Sequence, residues 1–231
     1  MHDPDKTSWA FELSNRVRKR FLLTVVSTTL VTALFFIAYF GVQRHPANAP
    51  IMMPRTELDL LIPFQPPALL AYVSLWVYIG VGPALQRTIR EFAVYGLWLS
   101  GLCCSGLVIF YFWPTQLPST VLAVTSFPGF AMLHRIDQTS NACPSMHVAV
   151  AIFTAVRIDE VLRSIRAPLP SRALNAAWFV LIAYSTLAIK QHVALDVAAG
   201  ALLGLIFAIM SLRWRPRLHP ETSFAALALP S

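Results

Sequence analysis

The chain has 231 residues, of which 56% are hydrophobic and only 13% charged, and its mean hydropathy is +0.60. Soluble domains carry about 25% charged residues, so this composition excludes an ordinary soluble globule, and the high apolar content excludes intrinsic disorder. The formal net charge is +7. The three cysteines, Cys103, Cys104 and Cys143, fit neither a disulfide framework nor a zinc-finger spacing.

Six apolar segments follow one another along the chain, and each predicts a membrane-spanning helix of about 20 residues. They are 21–42, 67–85, 92–113, a fourth that starts near Pro144 and continues past Arg157, 173–189 and 193–212. The first is too long for the apolar core of a signal peptide, so we expect it to be retained. The sequence therefore predicts an all-α, polytopic integral membrane protein, a six-helix membrane domain over 21–213 between an N-terminal segment 1–20 and a tail 214–231.

The distribution of lysine and arginine predicts the orientation of these helices. With a cytoplasmic N-terminus, 14 of the 18 basic residues fall on the cytoplasmic side, and only Arg44, Arg55, Arg135 and Lys190 fall outside. Because cytoplasmic loops are enriched in basic residues, we expect both termini in the cytoplasm and the protein in the cell membrane. Orientation and anionic lipid headgroups account for the positive charge, so we expect no nucleic-acid partner.

Placing an ionisable residue in or at the edge of a membrane costs free energy, so each such residue is a candidate for a structural or catalytic role. One group of polar residues, 141–147, reads Asn-Ala-Cys-Pro-Ser-Met-His and begins the fourth helix. Pro144 suits the first helical position, and the backbone N–H groups of Ser145 and Met146 would then be free to bind an anion at the helix N-terminus. His147 stands in the same turn. The plainer alternative is a capped helix start with a histidine at the membrane interface.

A second group, Lys190-Gln191-His192-Val-Ala-Leu-Asp196, precedes the sixth helix. His192 and Asp196 are four residues apart, which predicts that they share one helical face. A histidine held by a carboxylate is an arrangement of nucleophilic catalysis, although a structural polar pair between helices has the same spacing. Both groups fall at the outer ends of spans, so we expect one shared site suited to phosphoryl transfer through a histidine.

These two motifs resemble those of the type 2 phosphatidic acid phosphatase (PAP2) superfamily of membrane lipid phosphatases and phosphotransferases. The family motif Pro-Ser-Gly-His is matched by Pro144-Ser145-Met146-His147, and Ser-Arg-x5-His-x3-Asp by Ser185-Thr186-x5-His192-x3-Asp196. The variants PSMH and KQHxxxD, with Asp59-x2-Ile62-Pro63-Phe64 upstream, resemble inositol phosphorylceramide synthases. The remaining family motif, Lys-x6-Arg-Pro, is not recognisable in residues 112–120, and Thr186 replaces the arginine.

The resemblance implies a mechanism and a set of site residues. His192 would attack phosphorus and form a phosphohistidine, and Asp196 would orient it. His147 would protonate the leaving group and then activate water or an acceptor alcohol. Phosphate would be held by Ser145, the backbone at Met146, Lys190 in place of the missing arginine, and Ser185. The resemblance implies no metal and no cofactor. It implies a lipid phosphate as substrate and contact with membrane lipids. The orientation predicted from the basic residues puts the active site on the extracytoplasmic side.

Two other classes of protein fit the same residues. In a small transporter or lipid-binding membrane protein, His147, His192 and Asp196 would form a proton or ion relay. In a metalloenzyme, the same three side chains would be metal ligands. Phosphate release by the purified protein separates an enzyme from a transporter, and insensitivity to a chelator separates it from a metalloenzyme. The lipid substrate, hydrolysis or transfer to an alcohol, and the oligomeric state stay open alternatives.

Overall fold

The computed structural model describes residues 4–118 and 141–214. These residues form α1 (Pro4–Arg44), α2 (Glu57–Leu61), α3 (Leu69–Val73), α4 (Leu75–Ala84), α5 (Ile89–Phe112), α6 (Met146–Ser164), α7 (Leu169–Ala188) and α8 (Ala194–Arg213), with a 3-10 turn at Pro66–Ala68. Two short strands, β1 (Ile51–Met52) and β2 (Thr115–Gln116), pair in parallel. Apart from that pair, the regular structure in these ranges is helical, which confirms the all-α prediction.

Within residues 4–118 and 141–214, four stretches are long and apolar enough to cross a membrane. They are Trp9–Arg44, Pro66–Ala84, Ile89–Phe112 and Ala194–Arg213, which correspond to the first, second, third and sixth predicted spans. The fourth and fifth predicted spans form helices α6 and α7, of 19 and 20 residues, but neither meets that criterion of length and composition. The chain is therefore an integral membrane protein by its apolar helices, and the six-span count stays a prediction.

Helix α1 is unusually long and is tied to the rest of the bundle near its first third. Its 41 residues extend about 60 Å, twice the thickness of the bilayer core. Arg20 donates to the carbonyl oxygens of Gln86 at 2.6 Å and Thr88 at 2.8 Å, and Arg16 to that of Leu85 at 3.2 Å. These contacts hold α1 against the turn between α4 and α5. The helix is continuous across residue 20, where the sequence predicted a boundary between segments.

Helix α6 lies at the centre of the bundle and packs most closely on α8. A Cβ atom at Gly200 of α8 would collide with the carbonyl oxygen of Ser145 and lie 3.1 Å from its nitrogen. One turn later, a Cβ at Gly204 would collide with the carbonyl oxygen of Ala149. Small residues at a helix interface allow such close packing between membrane helices. Only glycine at these positions lets the first turn of α6 lie directly against α8.

The turn between α7 and α8 is short and brings its residues to the same end of the bundle as the start of α6. Lys190 has a φ of 60°; its N–H donates to Leu187 O at 3.1 Å, and that of Gln191 to Thr186 O at 3.0 Å. This pattern is a Schellman motif, which ends a helix through one residue in the left-handed conformation. Val193 then takes an extended conformation and caps α8. We call this end of the bundle, which carries His147 and His192, the site end.

Candidate active site

The two polar groups found in the sequence meet at the site end. The imidazole rings of His147 and His192 have centroids 5.8 Å apart, and their planes are inclined by 58°. The backbones that carry them are joined directly, since the Ser145 N–H donates to the carbonyl oxygen of Asp196 at 2.9 Å. Two imidazoles at this separation can contact the same small anionic group, such as a phosphate.

His192 and Asp196 form a buried pair, although not for the reason expected from their spacing. The distance from His192 Nδ1 to Asp196 Oδ2 is 3.5 Å, with 7% and 0% of the side chains exposed. Helix α8 begins at Ala194 and Val193 is its cap, so His192 precedes the helix and does not share a helical face with Asp196. Asp196 Oδ2 also accepts from the Val193 N–H at 3.1 Å. The carboxylate therefore caps the start of α8 and lies beside the imidazole, whose Nδ1 is within ion-pair distance but makes no hydrogen bond to the described residues.

The Nε2 atom of His192 is the ring nitrogen that faces away from Asp196 and could bond a substrate. His192 Nε2 has no hydrogen-bond partner among the residues that the structure describes. A buried polar group left without a partner costs about 1–3 kcal/mol, so a ligand that bonded Nε2 would recover that cost. With Nδ1 turned to Asp196, Nε2 is the nitrogen available to a substrate.

His147 is held by aromatic side chains that the sequence analysis did not assign to the site. The Tyr72 ring lies 4.4 Å from the imidazole, centroid to centroid, and its hydroxyl lies 3.5 Å from His147 Nδ1. Trp76 approaches the same imidazole edge-on at 6.3 Å. Tyr72 and Trp76 are four residues apart at the start of the second span, which is a helical spacing. The spacing predicts that the two aromatic rings share one helical face, but it does not predict that this face contacts a histidine.

The start of α6 supplies part of the predicted phosphate site. Ser145 caps the helix: its Oγ accepts from the Val148 N–H at 3.4 Å. Its own N–H, expected to be free, donates instead to Asp196, which corrects that expectation. The first helical backbone bond runs from Ala149 N–H to Ser145 O at 3.0 Å, so the N–H groups of Met146 and His147 lie before the helical ladder. A helix terminus of this kind favours an anion.

Ser185, the other hydroxyl predicted to contact phosphate, is fully buried in the last turn of α7. Its Oγ donates to the carbonyl oxygen of Ile182 at 2.6 Å. Thr186, which stands where the family motif has arginine, donates in the same way to Ala183 at 2.8 Å. Both hydroxyls are therefore bonded to their own helix in this structure.

A comparison with models of protein families shows which family the chain belongs to. The model of the PAP2 superfamily matches residues 92–220, more than half of the chain. The chain belongs to the PAP2 superfamily. Searches among curated proteins and among solved structures found no significant match. The matched range begins in α5 and contains both histidines and Asp196, so the family resemblance drawn from the two motifs is confirmed. PAP2 proteins comprise phosphatases and phosphotransferases, which makes such an activity the expected one here.

Lys190 departs from the role predicted for it in a PAP2 site. Its ammonium donates to the carbonyl oxygen of Asp59 at 2.9 Å and to that of Ile62. Asp59 in turn accepts from the Ala194 N–H at 2.7 Å and from the Thr56 N–H at 2.7 Å. Burial, followed by the nearby Arg55, lowers the pKa of Lys190. Lys190 and Asp59 thus join α2 to the turn that carries His192, which favours a positioning role.

Replacing Lys190 with methionine tests the two roles. We expect the free energy of unfolding to fall by about 1–3 kcal/mol, because two hydrogen bonds from a charged donor are lost. Inhibition by inorganic phosphate should change less than about twofold, since the ammonium is bonded to carbonyl groups. Asp59→Asn should destabilise the protein in the same way, and Lys190→Arg less. A tenfold weaker inhibition by phosphate with unchanged stability would instead make Lys190 a phosphate ligand.

Cys143 lies beside the site but is poorly suited to act as a nucleophile. Its N–H donates to Thr115 Oγ1 at 2.8 Å. Burial and the neighbouring Asp196 raise the pKa of its thiol to about 11, so at neutral pH the thiolate is scarce. Arg135, one of the basic residues predicted on the outer side, lies outside the described residues. In the described ranges, His, Cys, Asp and Glu side chains form no group of three that could hold a metal ion.

A cavity of about 440 Å³ leads away from the two histidines. At the site end it is lined by His147, His192, Asn141 and Gln191, and beyond them by mainly apolar residues of α1, α4, α5 and α6. Its lining residues in the described ranges include no Lys, Arg, Asp or Glu. A cavity with a polar head and an apolar body matches a molecule that has a polar headgroup and a hydrocarbon tail.

Proposed function

We propose that this protein is an integral membrane lipid phosphatase or headgroup phosphotransferase that works through a phosphohistidine on His192. The observation that carries the proposal is the pair of histidines, 5.8 Å apart, at the polar head of an apolar cavity, with Asp196 behind one of them. Membership of the PAP2 superfamily supports the same class of reaction. The apolar cavity favours a lipid rather than a water-soluble phosphate ester.

In the first half-reaction, His192 Nε2 attacks phosphorus while the bond between phosphorus and the lipid oxygen breaks. The imidazole becomes positively charged as the new P–N bond forms, and the Asp196 carboxylate beside Nδ1 stabilises that charge. His147 gives its proton to the departing oxygen, so that the lipid leaves as an alcohol, or as a lipid phosphate if the substrate is a diphosphate. The Tyr72 hydroxyl at Nδ1 leaves Nε2 of His147 to face the substrate.

In the second half-reaction, the neutral His147 takes a proton from water or from an acceptor alcohol. The resulting oxygen attacks phosphorus, the P–N bond breaks, and His192 returns to its starting state. Hydrolysis and transfer differ only in the acceptor. The sequence variants PSMH and KQHxxxD, which resemble inositol phosphorylceramide synthases, favour transfer to an alcohol as the finer assignment.

The developing negative charge on the phosphoryl oxygens would be stabilised by the start of α6. The first-turn N–H groups of Met146 and His147 and the positive end of the helix dipole supply fixed positive potential there. Ser145, as the cap of that helix, orients this turn. This arrangement supplies the electrostatic stabilisation that the missing family arginine and lysine would otherwise provide.

We further propose that the site faces the extracytoplasmic side of the cell membrane, in a bundle of six spans with both termini in the cytoplasm. The basic residues Arg16, Arg20 and Arg87 lie at the turn between α4 and α5, which is the end of the bundle opposite the histidines. Arg163, Arg166 and Arg172, around the turn between α6 and α7, lie at the same opposite end. Basic residues favour the cytoplasmic side, so the histidines would face outwards.

The proposal predicts phosphate release from a panel of lipid phosphates by the protein purified in detergent. The panel contains phosphatidic acid, phosphatidylglycerol phosphate, a prenyl diphosphate and a phosphoinositide, each with and without an alcohol acceptor. We expect turnover of at least one substrate, no effect of a chelator, and an acid-labile, base-stable phosphoenzyme after rapid quenching. Loss of turnover on adding the chelator would favour a metalloenzyme. If no substrate gave phosphate release, transfer or a phosphoenzyme, the result would contradict the proposal and favour a relay role for the histidines.

A further inference from the structure

We propose that the side-chain amides of Asn141 and Gln191 bind the hydroxyl groups of an alcohol beside the two histidines. This inference rests on the proposed function, and it adds two binding residues that the sequence motifs do not assign. The hydroxyl groups belong either to the acceptor of the phosphoryl group or to a headgroup that stays on phosphorus, and both present the same chemistry to an amide. We call this pair of side chains the amide subsite.

The amide subsite lies in the wall of the cavity at the site end. Asn141 and Gln191 line the cavity together with the two histidines. Gln191 directly precedes His192 in the chain, and Asn141 directly precedes Ala142. Ala142 and Val193 belong to one buried apolar cluster. The two chain segments that carry the amides therefore meet at the same point of the bundle.

Both amides are buried without completing their hydrogen bonds. Only 5% of Asn141 and 6% of Gln191 is exposed. Among the residues that the structure describes, Nδ2 and Oδ1 of Asn141 and Nε2 of Gln191 have no hydrogen-bond partner. Buried polar groups are nearly always hydrogen-bonded, because leaving one unbonded costs free energy. A ligand that bonds these atoms would recover that cost.

The backbone conformation does not by itself account for these two side chains. Asn141 has a φ of 68°, in the left-handed region where asparagine is commoner than most residues. Glycine takes the same conformation and brings no amide to bury. The Gln191 N–H donates to the carbonyl oxygen of Thr186 at 3.0 Å, a bond that any residue except proline makes. The buried amides are therefore best explained by what they bind.

The unbonded atoms of the amide subsite match hydroxyl groups better than phosphate. They comprise two donors, Nδ2 of Asn141 and Nε2 of Gln191, and one acceptor, Oδ1 of Asn141. A phosphoryl oxygen only accepts and leaves Oδ1 unbonded, whereas a hydroxyl both donates and accepts. The cavity lining in the described ranges includes no Lys, Arg, Asp or Glu. A charged amine or carboxylate would find no counter-charge in that lining, and a hydroxyl needs none.

The amide subsite would hold an acceptor alcohol in place during transfer. The attacking hydroxyl gives its proton to His147 as its oxygen bonds to phosphorus and the P–N bond to His192 breaks. A neighbouring hydroxyl of the same alcohol stays bonded to the amides, and this orientation favours the alcohol over water. If the hydroxyl groups belong to the headgroup instead, the amides orient the donor before His192 attacks.

Two pairs of variants test the amide subsite. Asn141→Gly removes one amide and tolerates the positive φ, and Gln191→Met removes the other and keeps an unbranched side chain of similar length. Asn48→Gly and Gln65→Met are the matched controls. The amides of Asn48 and Gln65 already donate to other groups at 2.7 and 2.6 Å, and neither residue lines the cavity.

The experiment has one arm for each source of the hydroxyl groups. The headgroup arm compares kcat/KM for glyceryl and propyl p-nitrophenyl phosphate. The acceptor arm supplies p-nitrophenyl phosphate with glycerol or propanol and measures transfer as p-nitrophenol minus phosphate released. We expect the unaltered protein to prefer the glycerol compound about tenfold in at least one arm. Asn141→Gly and Gln191→Met should each reduce this preference below about threefold, and the two control variants should keep it.

Binding of two non-hydrolysable phosphonates separates failure of this inference from failure of the proposed function. We expect 3,4-dihydroxybutylphosphonate to bind about tenfold more tightly than butylphosphonate. Asn141→Gly and Gln191→Met should remove that difference and leave the affinity for butylphosphonate unchanged, which also shows that the site end is intact. This result without turnover of any phosphate ester would support the amide subsite and contradict the enzymatic role.

Two results would overturn the inference. Turnover with no hydroxyl preference in either arm, and equal binding of the two phosphonates, would mean that the amides hold water alone. An equal loss of affinity for both phosphonates in Asn141→Gly and Gln191→Met would mean that the amides contact the phosphoryl group instead of a hydroxyl.

Discussion

Replacing His192 with alanine should abolish turnover, with a fall in kcat of about 10⁴-fold or more, as is typical when a covalent nucleophile is removed. The reason is geometric: His192 lines the head of the cavity, its Nδ1 lies 3.5 Å from Asp196 Oδ2, and its Nε2 has no hydrogen-bond partner among the described residues. The phosphoenzyme should disappear together with turnover. The measurement combines steady-state phosphate release with trapping of the acid-labile intermediate on the purified variant.

A control is needed because His192 is almost fully buried, and its removal leaves the Asp196 carboxylate without the neighbouring imidazole. Binding of a long-chain alkylphosphonate reports whether the site end is still assembled, and it should stay within about tenfold of the unaltered protein. His192→Gln, which keeps a polar group of similar size, should be as inactive as His192→Ala. Full lipid phosphatase activity in either variant would refute the role assigned to His192.

The apolar pattern of the sequence predicted most of the helices because spanning helices must be apolar along their whole length. Helices α5 and α8 begin and end within a few residues of the predicted spans. Helix α6 was harder to delimit because its apolar run is interrupted by Arg157. That side chain is only 4% exposed and bonds to the buried Gln86 at 3.2 Å. The bundle, rather than lipid, surrounds this charge, and sequence hydropathy does not contain that information.

The site was predictable where it depended on local sequence and not where it depended on tertiary contacts. The spacing of His192 and Asp196 gave the correct pair, but the helix starts after His192 because the Asp196 carboxylate caps it at Val193. The contact of Tyr72 with His147 joins residues 75 positions apart, and that of Asp59 with Ala194 joins residues 135 positions apart. No periodicity within one helix predicts such contacts. They follow from how α2, α3 and the turn between α7 and α8 pack at the site end.

Replacing His147 with glutamine should have an effect that depends on the leaving group, which distinguishes a general acid from a nucleophile. With an alkyl phosphate, whose alkoxide needs a proton to depart, kcat/KM should fall by about 10²–10⁴-fold, the usual contribution of a general acid. With p-nitrophenyl phosphate, whose phenolate departs without a proton, the fall should be less than about tenfold. The two rates are measured on the same purified variant. Equal losses with both substrates would contradict the role of acid.

The same variant should also accumulate phosphoenzyme when the good leaving group is used. His147 is proposed to act twice, first as an acid and then as the base that activates water or the acceptor alcohol. Its loss should therefore slow the breakdown of phosphohistidine on His192 more than its formation from the aryl phosphate. Tyr72→Phe offers a graded control, because it removes the hydroxyl at 3.5 Å from His147 Nδ1 but keeps the stacked ring. A phosphoenzyme level unchanged by His147→Gln would mean that another group activates the acceptor.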